Sequence, residues 1–177
     1  MGQDDTPLLI SGPQSDFAKV EALLKVLAGN VVYLGEKIDA AASMDLSTLS
    51  YVYGSIAGFL HGARIAEAAG VDVAAYGAIV NAISPSFGAF FQHEGGVIAS
   101  GDFHVTESPL RISISAVRRI RLHSEQLGLN TELPALIDNW LERAEAMGFA
   151  DEELAAVIKV LRRDAIHASD GASRQHE

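Results

Sequence analysis

The sequence predicts a mainly α protein, with one long helix leading into a bundle of further helices and a small strand, helix, strand unit in front. Three observations predict it. Residues Ser43 to Ala69 read as one unbroken helix, the chain after Gly70 returns repeatedly to helical spacing, and only Leu8 to Gly12 and Val31 to Leu34 read as short buried strands. With 177 residues, 49% of them hydrophobic, the chain can bury one substantial core and a small second unit.

Between the two strands Phe17, Val20, Leu23, Leu24 and Leu27 line one side of a helix. Ser15 or Asp16 can cap its start, and Gly29-Asn30 closes it. Two parallel strands make a poor sheet alone, since parallel sheets are normally wider and covered on both faces, so this unit reads as the tail of something larger. After the long helix, helices are predicted over Asp72 to Ile83, Pro85 to Ile98, Ser108 to Leu127, Thr131 to Met147 and Asp151 to Ile166. Pro85 and Pro109 suit first turns, Thr106, Ser108 and Asp151 are candidate caps, and Gly70, Gly128 and Gly148 stand where left-handed C-terminal caps belong. Residues 167–177, rich in polar side chains, read as a frayed, disordered tail.

The long helix would run about 40 Å. Glycine weakens a helix by about 1 kcal/mol relative to alanine. The ladder Gly54, Gly58, Gly62, continued by Ala66, therefore predicts that another backbone lies close against that ridge. Leu46, Leu49, Val52, Ile56, Phe59 and Leu60 fill the other faces, as expected for a helix that passes through a core or an intertwined dimer rather than along a surface.

Composition excludes several function classes. A net charge of -10 repels phosphate backbones and anionic lipid, so neither nucleic acid nor a membrane is an expected partner. Without cysteine there is no disulfide, thiol nucleophile or cysteine-ligated zinc. The N-terminus lacks the basic flank and apolar run of a signal peptide, and Ser47, Thr48, Ser50, Ser55 and His61 interrupt the long helix, so a soluble, cytoplasmic protein is expected. No two glycines are separated by one residue, which excludes the dinucleotide-binding G-x-G-x-x-G turn, and there is no Walker-type loop. His93-Glu94 lacks the second histidine of a metalloprotease helix, and His104 with Glu107, or His123 with Glu125, are isolated pairs; no metal is expected.

The candidate functional residues are few. Arg111, Arg118, Arg119 and Arg121 could serve a ligand phosphate or form a solvated face paired with acids such as Glu125. Phe87, Phe90 and Phe91 could wall an apolar ligand pocket or fill a core. Asp45, in the first turn of the predicted helix, is either a partner for the helix dipole or a carboxyl at the mouth of a cleft. Tyr53, eight residues on, would stand about 12 Å further along the axis and roughly 80° around it, so both side chains can border one cleft. Partly desolvated there, the acid could donate a proton or anchor a cation, with the tyrosine hydrogen-bonding the same ligand.

From about Pro7 to Arg162 the sequence resembles the imine reductases, or reductive aminases, a branch of the β-hydroxyacid and 6-phosphogluconate dehydrogenase-like enzymes. The resemblance rests on Val32-Tyr33-Leu34-Gly35-Glu36, Met44-Asp45-Leu46, Tyr53-Gly54, Ala57-Gly58-Phe59-Leu60-His61-Gly62, Ser124-Glu125-Gln126-Leu127-Gly128 and Thr131-Glu132-Leu133-Pro134. It implies a Rossmann domain, a long interdomain helix and a helical bundle interlocked with that of a second subunit. It also implies NADPH as hydride donor to a C=N bond, Asp45 assisting at the nitrogen as the catalytic acid, and Tyr53 lining the same pocket. A lysine early in the long helix, expected of the hydroxyacid branch, is absent between Ser43 and Ala69. On this reading residues 1–36 are the β-α-β remnant of a dinucleotide-binding domain and residues 37–166 the dimerising, substrate-side domain. A family member should begin with roughly 150 residues of cofactor domain. The chain is therefore expected to lack the main NADPH loop and to be inactive alone, as a truncated product, a split gene product or a deliberately shortened chain that works with a separate Rossmann-domain chain. The alternative is a non-catalytic helical dimerisation or small-ligand-binding module.

Overall fold

The structure is a computed structural model in which residues 7–164 are described. The tail expected at 167–177 lies outside them. In chain order the elements are β1 (Pro7–Ile10), α1 (Gln14–Leu27), β2 (Asn30–Tyr33), α2 (Ala40–Ala68), α3 (Val73–Ser100), α4 (Leu110–Gln126), α5 (Glu132–Ala146) and a short 3-10 helix, Leu154–Val157, that continues as α-helix over 158–164. The mainly helical class with a leading β-α-β unit is the one expected. The chain forms two compact units, Met1–Gly58 and Phe59–Glu177.

In the first unit β1 and β2 pair in parallel, Pro7 opposite Asn30 through Ile10 opposite Tyr33. The ring of Phe17 on α1 stacks on Tyr33 at 4.6 Å, and the Tyr33 hydroxyl donates to the Gly12 carbonyl at 2.7 Å. Two strands form too narrow a ribbon to cover a helix flank. Accordingly no residue of α1 is fully buried, and Leu23 and Val26 are 64% and 80% exposed. Neither Ser15 nor Asp16 caps α1: Pro13 holds the cap position and Asp16 pairs with Lys19 at 2.8 Å. The helix ends in extended backbone at Ala28 rather than in a left-handed glycine. The cap that matters is Ser11, whose hydroxyl donates to Ile38 O at 2.9 Å and accepts from Ala41 N at 3.1 Å, fastening the loop after β1 to the first turn of α2.

Helix α2 forms where expected, but within one chain it is a surface helix: Ala66 is its one buried residue, and Leu46, Tyr53 and Leu60 are more than half exposed. The reason is topological, because among the described residues no other element covers these faces. A Cβ added at Gly54 or Gly58 would meet nothing within 4 Å, whereas one at Gly62 would meet the Tyr76 ring. Among the described residues, the predicted close approach along this ladder is therefore met at Gly62 and not at Gly54 or Gly58, and a tyrosine side chain makes it rather than a backbone.

In the second unit, the two helices expected on either side of Pro85 are one, α3. Proline removes one backbone donor, but the Ser84 and Ser86 hydroxyls bond the Val80 and Ile83 carbonyls at 2.7 and 2.6 Å, and no C-terminal cap precedes it. Asp72 caps the start, accepting from Ala74 N and Ala75 N, and Gly101 (φ 73°) closes the end. By length and composition α3 could cross a membrane. Its later turns instead carry Gln92, His93 and a buried Glu94 that accepts from Ala155 N at 2.7 Å.

Helices α4 and α5 pack as a hairpin around Leu110, Ile114, Leu141, Ala144 and Val160. Gly70, Gly128 and Gly148 adopt the left-handed conformation expected of them. Three of the four candidate arginines of α4 form a paired face: Arg118 lies within 3.8 Å of Glu142 and Glu145, Arg121 within 2.7 Å of the buried Asp138, and Arg111 pairs with Asp151. Asp151 starts no helix. Residues 151 and 152 form a turn and a bend, Glu153 bridges to Pro109, and the helix begins only with the 3-10 turn at Leu154. Thr106 and Ser108 do not cap α4 either, since its leading donors Leu110 N and Arg111 N reach Glu152 O and Ala150 O.

Candidate functional site

The first unit holds an open hollow of about 700 Å³ between the strands and the start of α2, lined by Leu9, Val32, Leu34, Met44, Asp45 and Thr48 among others. The strands contribute alternate apolar side chains and α2 contributes one face of its first turns. Asp45 is the one ionisable group of that lining, and its side chain has no hydrogen-bond or ion-pair partner among the described residues. Thr48 turns its hydroxyl back to Asp45 O at 2.8 Å, so the carboxylate is left to face the hollow or solvent. The arrangement is an apolar cup with one acid at its edge, suited to an apolar ligand carrying one basic or cationic atom.

Tyr53 stands two turns further along α2, is 67% exposed and is not part of that lining. Phe87, Phe90 and Phe91 form an aromatic cluster on α3, with ring centroids 6.2 Å apart for Phe87 and Phe91 and 5.6 Å for Phe90 and Phe91. Phe87 and Phe91 are each 46% exposed, so the cluster is an open surface rather than filled core.

A second hollow, about 250 Å³, opens at the N-terminus of α1 beside Ser11, Gly12, Pro13 and Asp16. It offers a carboxylate and a single glycine where a pyrophosphate would need clustered N–H donors and no negative charge.

Sequence reasoning missed a polar cluster in the second unit. Glu153 is fully buried and accepts from Thr106 N (2.6 Å), the Thr106 hydroxyl (3.0 Å), Glu107 N (2.9 Å) and Ser108 N (3.4 Å). Burial alone would push its carboxyl up; the four donors outweigh that and hold it down at about 2. Glu94 is pushed above the usual carboxylate range, by burial first and by the Glu153 charge as well. His93 Nε2 lies 3.5 Å from Glu153 Oε1. The only signal in the sequence was His93-Glu94 itself, because Glu153 is remote in the chain and joins them only through the fold.

Comparison with known proteins places this geometry. A model of the NADPH-dependent reductive aminase-like C-terminal domain matches residues 38–163. The NADPH-dependent reductive aminase of Aspergillus oryzae is 25% identical over 166 residues, covering 92% of this chain and 56% of that protein. Among solved structures, the reductive aminase from Aspergillus terreus in complex with NADPH4, cyclohexanone and allyl amine superposes with a TM-score of 0.77 at 25% identity, over 90% of this chain and 56% of that one. The imine reductase from Myxococcus stipitatus in complex with NADP+ has the same fold, with a TM-score of 0.80 at 21% identity over 90% of this chain and 56% of that one. The chain thus spans a little over half the length of the relatives it matches. With more than half of its residues matched by the family model, it belongs to the NADPH-dependent reductive aminase-like family, of which it carries the C-terminal domain.

Proposed function

We propose that this chain is the substrate-side, dimerising part of an NADPH-dependent imine reductase-type oxidoreductase acting on small imines or amines, with Asp45 assisting at the nitrogen of the C=N bond. The observation that carries the reading is Asp45 standing alone on the apolar hollow at the start of the family-matched segment. Bound beside Leu9, Val32 and Met44, an apolar substrate would strip water from the carboxyl, which then either donates a proton to nitrogen or holds an iminium by charge. Tyr53 and the aromatic cluster of Phe87, Phe90 and Phe91 are assigned to substrate contact. Reduced nicotinamide would supply hydride. The α1 hollow, with Asp16 on its rim, offers a poor fit to the pyrophosphate, which supports a reading in which a dinucleotide-binding domain supplies the cofactor's main grip and this segment by itself does not turn over.

The exposed apolar faces of α2 support a homodimer through the glycine-laddered helix, and a cytoplasmic setting is part of the same proposal. A non-catalytic dimerisation or small-ligand module is favoured by one observation, the lack of a phosphate-gripping turn.

The experiment is a fluorescence titration with NADPH followed by reduction of a cyclic imine, each with and without an added family Rossmann domain. Binding and turnover only in the mixture support the reductase; neither in either condition leaves the module.

A further inference from the structure

We propose that His93, Glu94 and Glu153 hold a divalent cation of the manganese or zinc class, fastening the end of α3 to the 102–108 loop and the 3-10 helix. One ligand atom from each of the three lies within 4.8 Å of the others. Ligand atoms on a tetrahedral ion at about 2.1 Å stand about 3.4 Å apart, so the three side chains would close by up to about 1.4 Å on binding. The second observation is Glu94 itself. It is only 7% exposed, its Oε2 accepts from Ala155 N, and its buried Oε1 has no partner among the described residues. A buried oxygen of that kind calls for a proton, a water or a cation.

Three features favour the cation. The donors to Glu153 crowd on Oε1, while Oε2 receives only the long bond from Ser108 N at 3.4 Å and retains lone pairs for a metal. Neither carboxylate has a lysine or arginine ion partner among the described residues, and the base beside them is His93, whose Nε2 also lies 3.2 Å from the Thr106 hydroxyl, a contact that the ion would displace. There is also a way in: His93 is 31% exposed and lines an open hollow of about 440 Å³ with Asp102, His104 and Thr106. One imidazole and two carboxylates suit manganese or zinc better than magnesium, which keeps its water and prefers oxygen alone. This inference is independent of the reductase reading.

The test is calorimetric titration and thermal unfolding of the chelator-treated full chain with MnCl2, ZnCl2 and, as control, MgCl2. We expect one saturable manganese or zinc ion per chain and a Tm raised by roughly 5 °C at a hundredfold excess over Kd. Glu94→Gln should weaken binding at least tenfold while leaving the metal-free Tm unchanged or higher, and His93→Gln, at a half-exposed position, should weaken it similarly. Failure of the wild type to bind, or equal binding by both variants, overturns the site.

Discussion

Asp45→Ala should lower imine turnover about 100-fold in the enzyme reconstituted with a dinucleotide-binding domain, the scale of a lost general acid. Stability should hardly change. The Asp45 side chain makes no hydrogen bond or ion pair among the described residues, and because α2 starts at Ala40, Asp45 lies beyond the first turn expected to hold it, where the helix dipole adds little. Helicity and Tm serve as internal controls. Asp45→Asn keeps the shape but loses the charge and the acidic proton, so it should resemble Asp45→Ala in kcat while retaining more of the substrate affinity. Undiminished turnover in both variants would leave Asp45 without a role at the nitrogen.

Glu153→Ala should destabilise the second unit by about 2 to 3 kcal/mol, because it leaves the turn donors Thr106 N, Glu107 N and Ser108 N to find water or go without. The same carboxylate makes stability depend on pH. Its folded value, about 2, lies below the unfolded value of about 4.3, so its contribution is fully present above about pH 4.3 and is lost as pH falls towards 2. Glu153→Gln retains one acceptor oxygen and should be milder than Glu153→Ala, with a flatter acid limb. Chemical denaturation between pH 2 and 7 reads both effects; wild-type and variant curves of the same shape would contradict the assignment.

Most helices were legible because their ends are local. Gly70, Gly128 and Gly148 announce left-handed caps that only glycine adopts freely, and the structure puts them there. Pro85 misled because proline usually ends a helix; the flanking serine hydroxyls that bond neighbouring carbonyls look like ordinary polar residues in a sequence. The apolar pattern of α2 reports that its faces are to be covered without saying by what, and within one chain they remain open. Asp45 stood out in the sequence by its place on the helix and by the family resemblance, and it lies on the lining of the hollow in the first unit. Glu153 was not, since a buried carboxylate that organises a loop far away in sequence has no local signature.

Sedimentation velocity of the wild-type chain beside Gly58→Leu is the most direct test of the account's central claim, that the open faces of α2 meet a second copy. Among the described residues nothing lies within 4 Å of a Cβ at Gly58, so the substitution should act chiefly on a partner. The account predicts a wild-type dimer at micromolar concentration and a largely monomeric Gly58→Leu of similar helicity. A monomeric wild type, or a variant that dimerises as well, would contradict it.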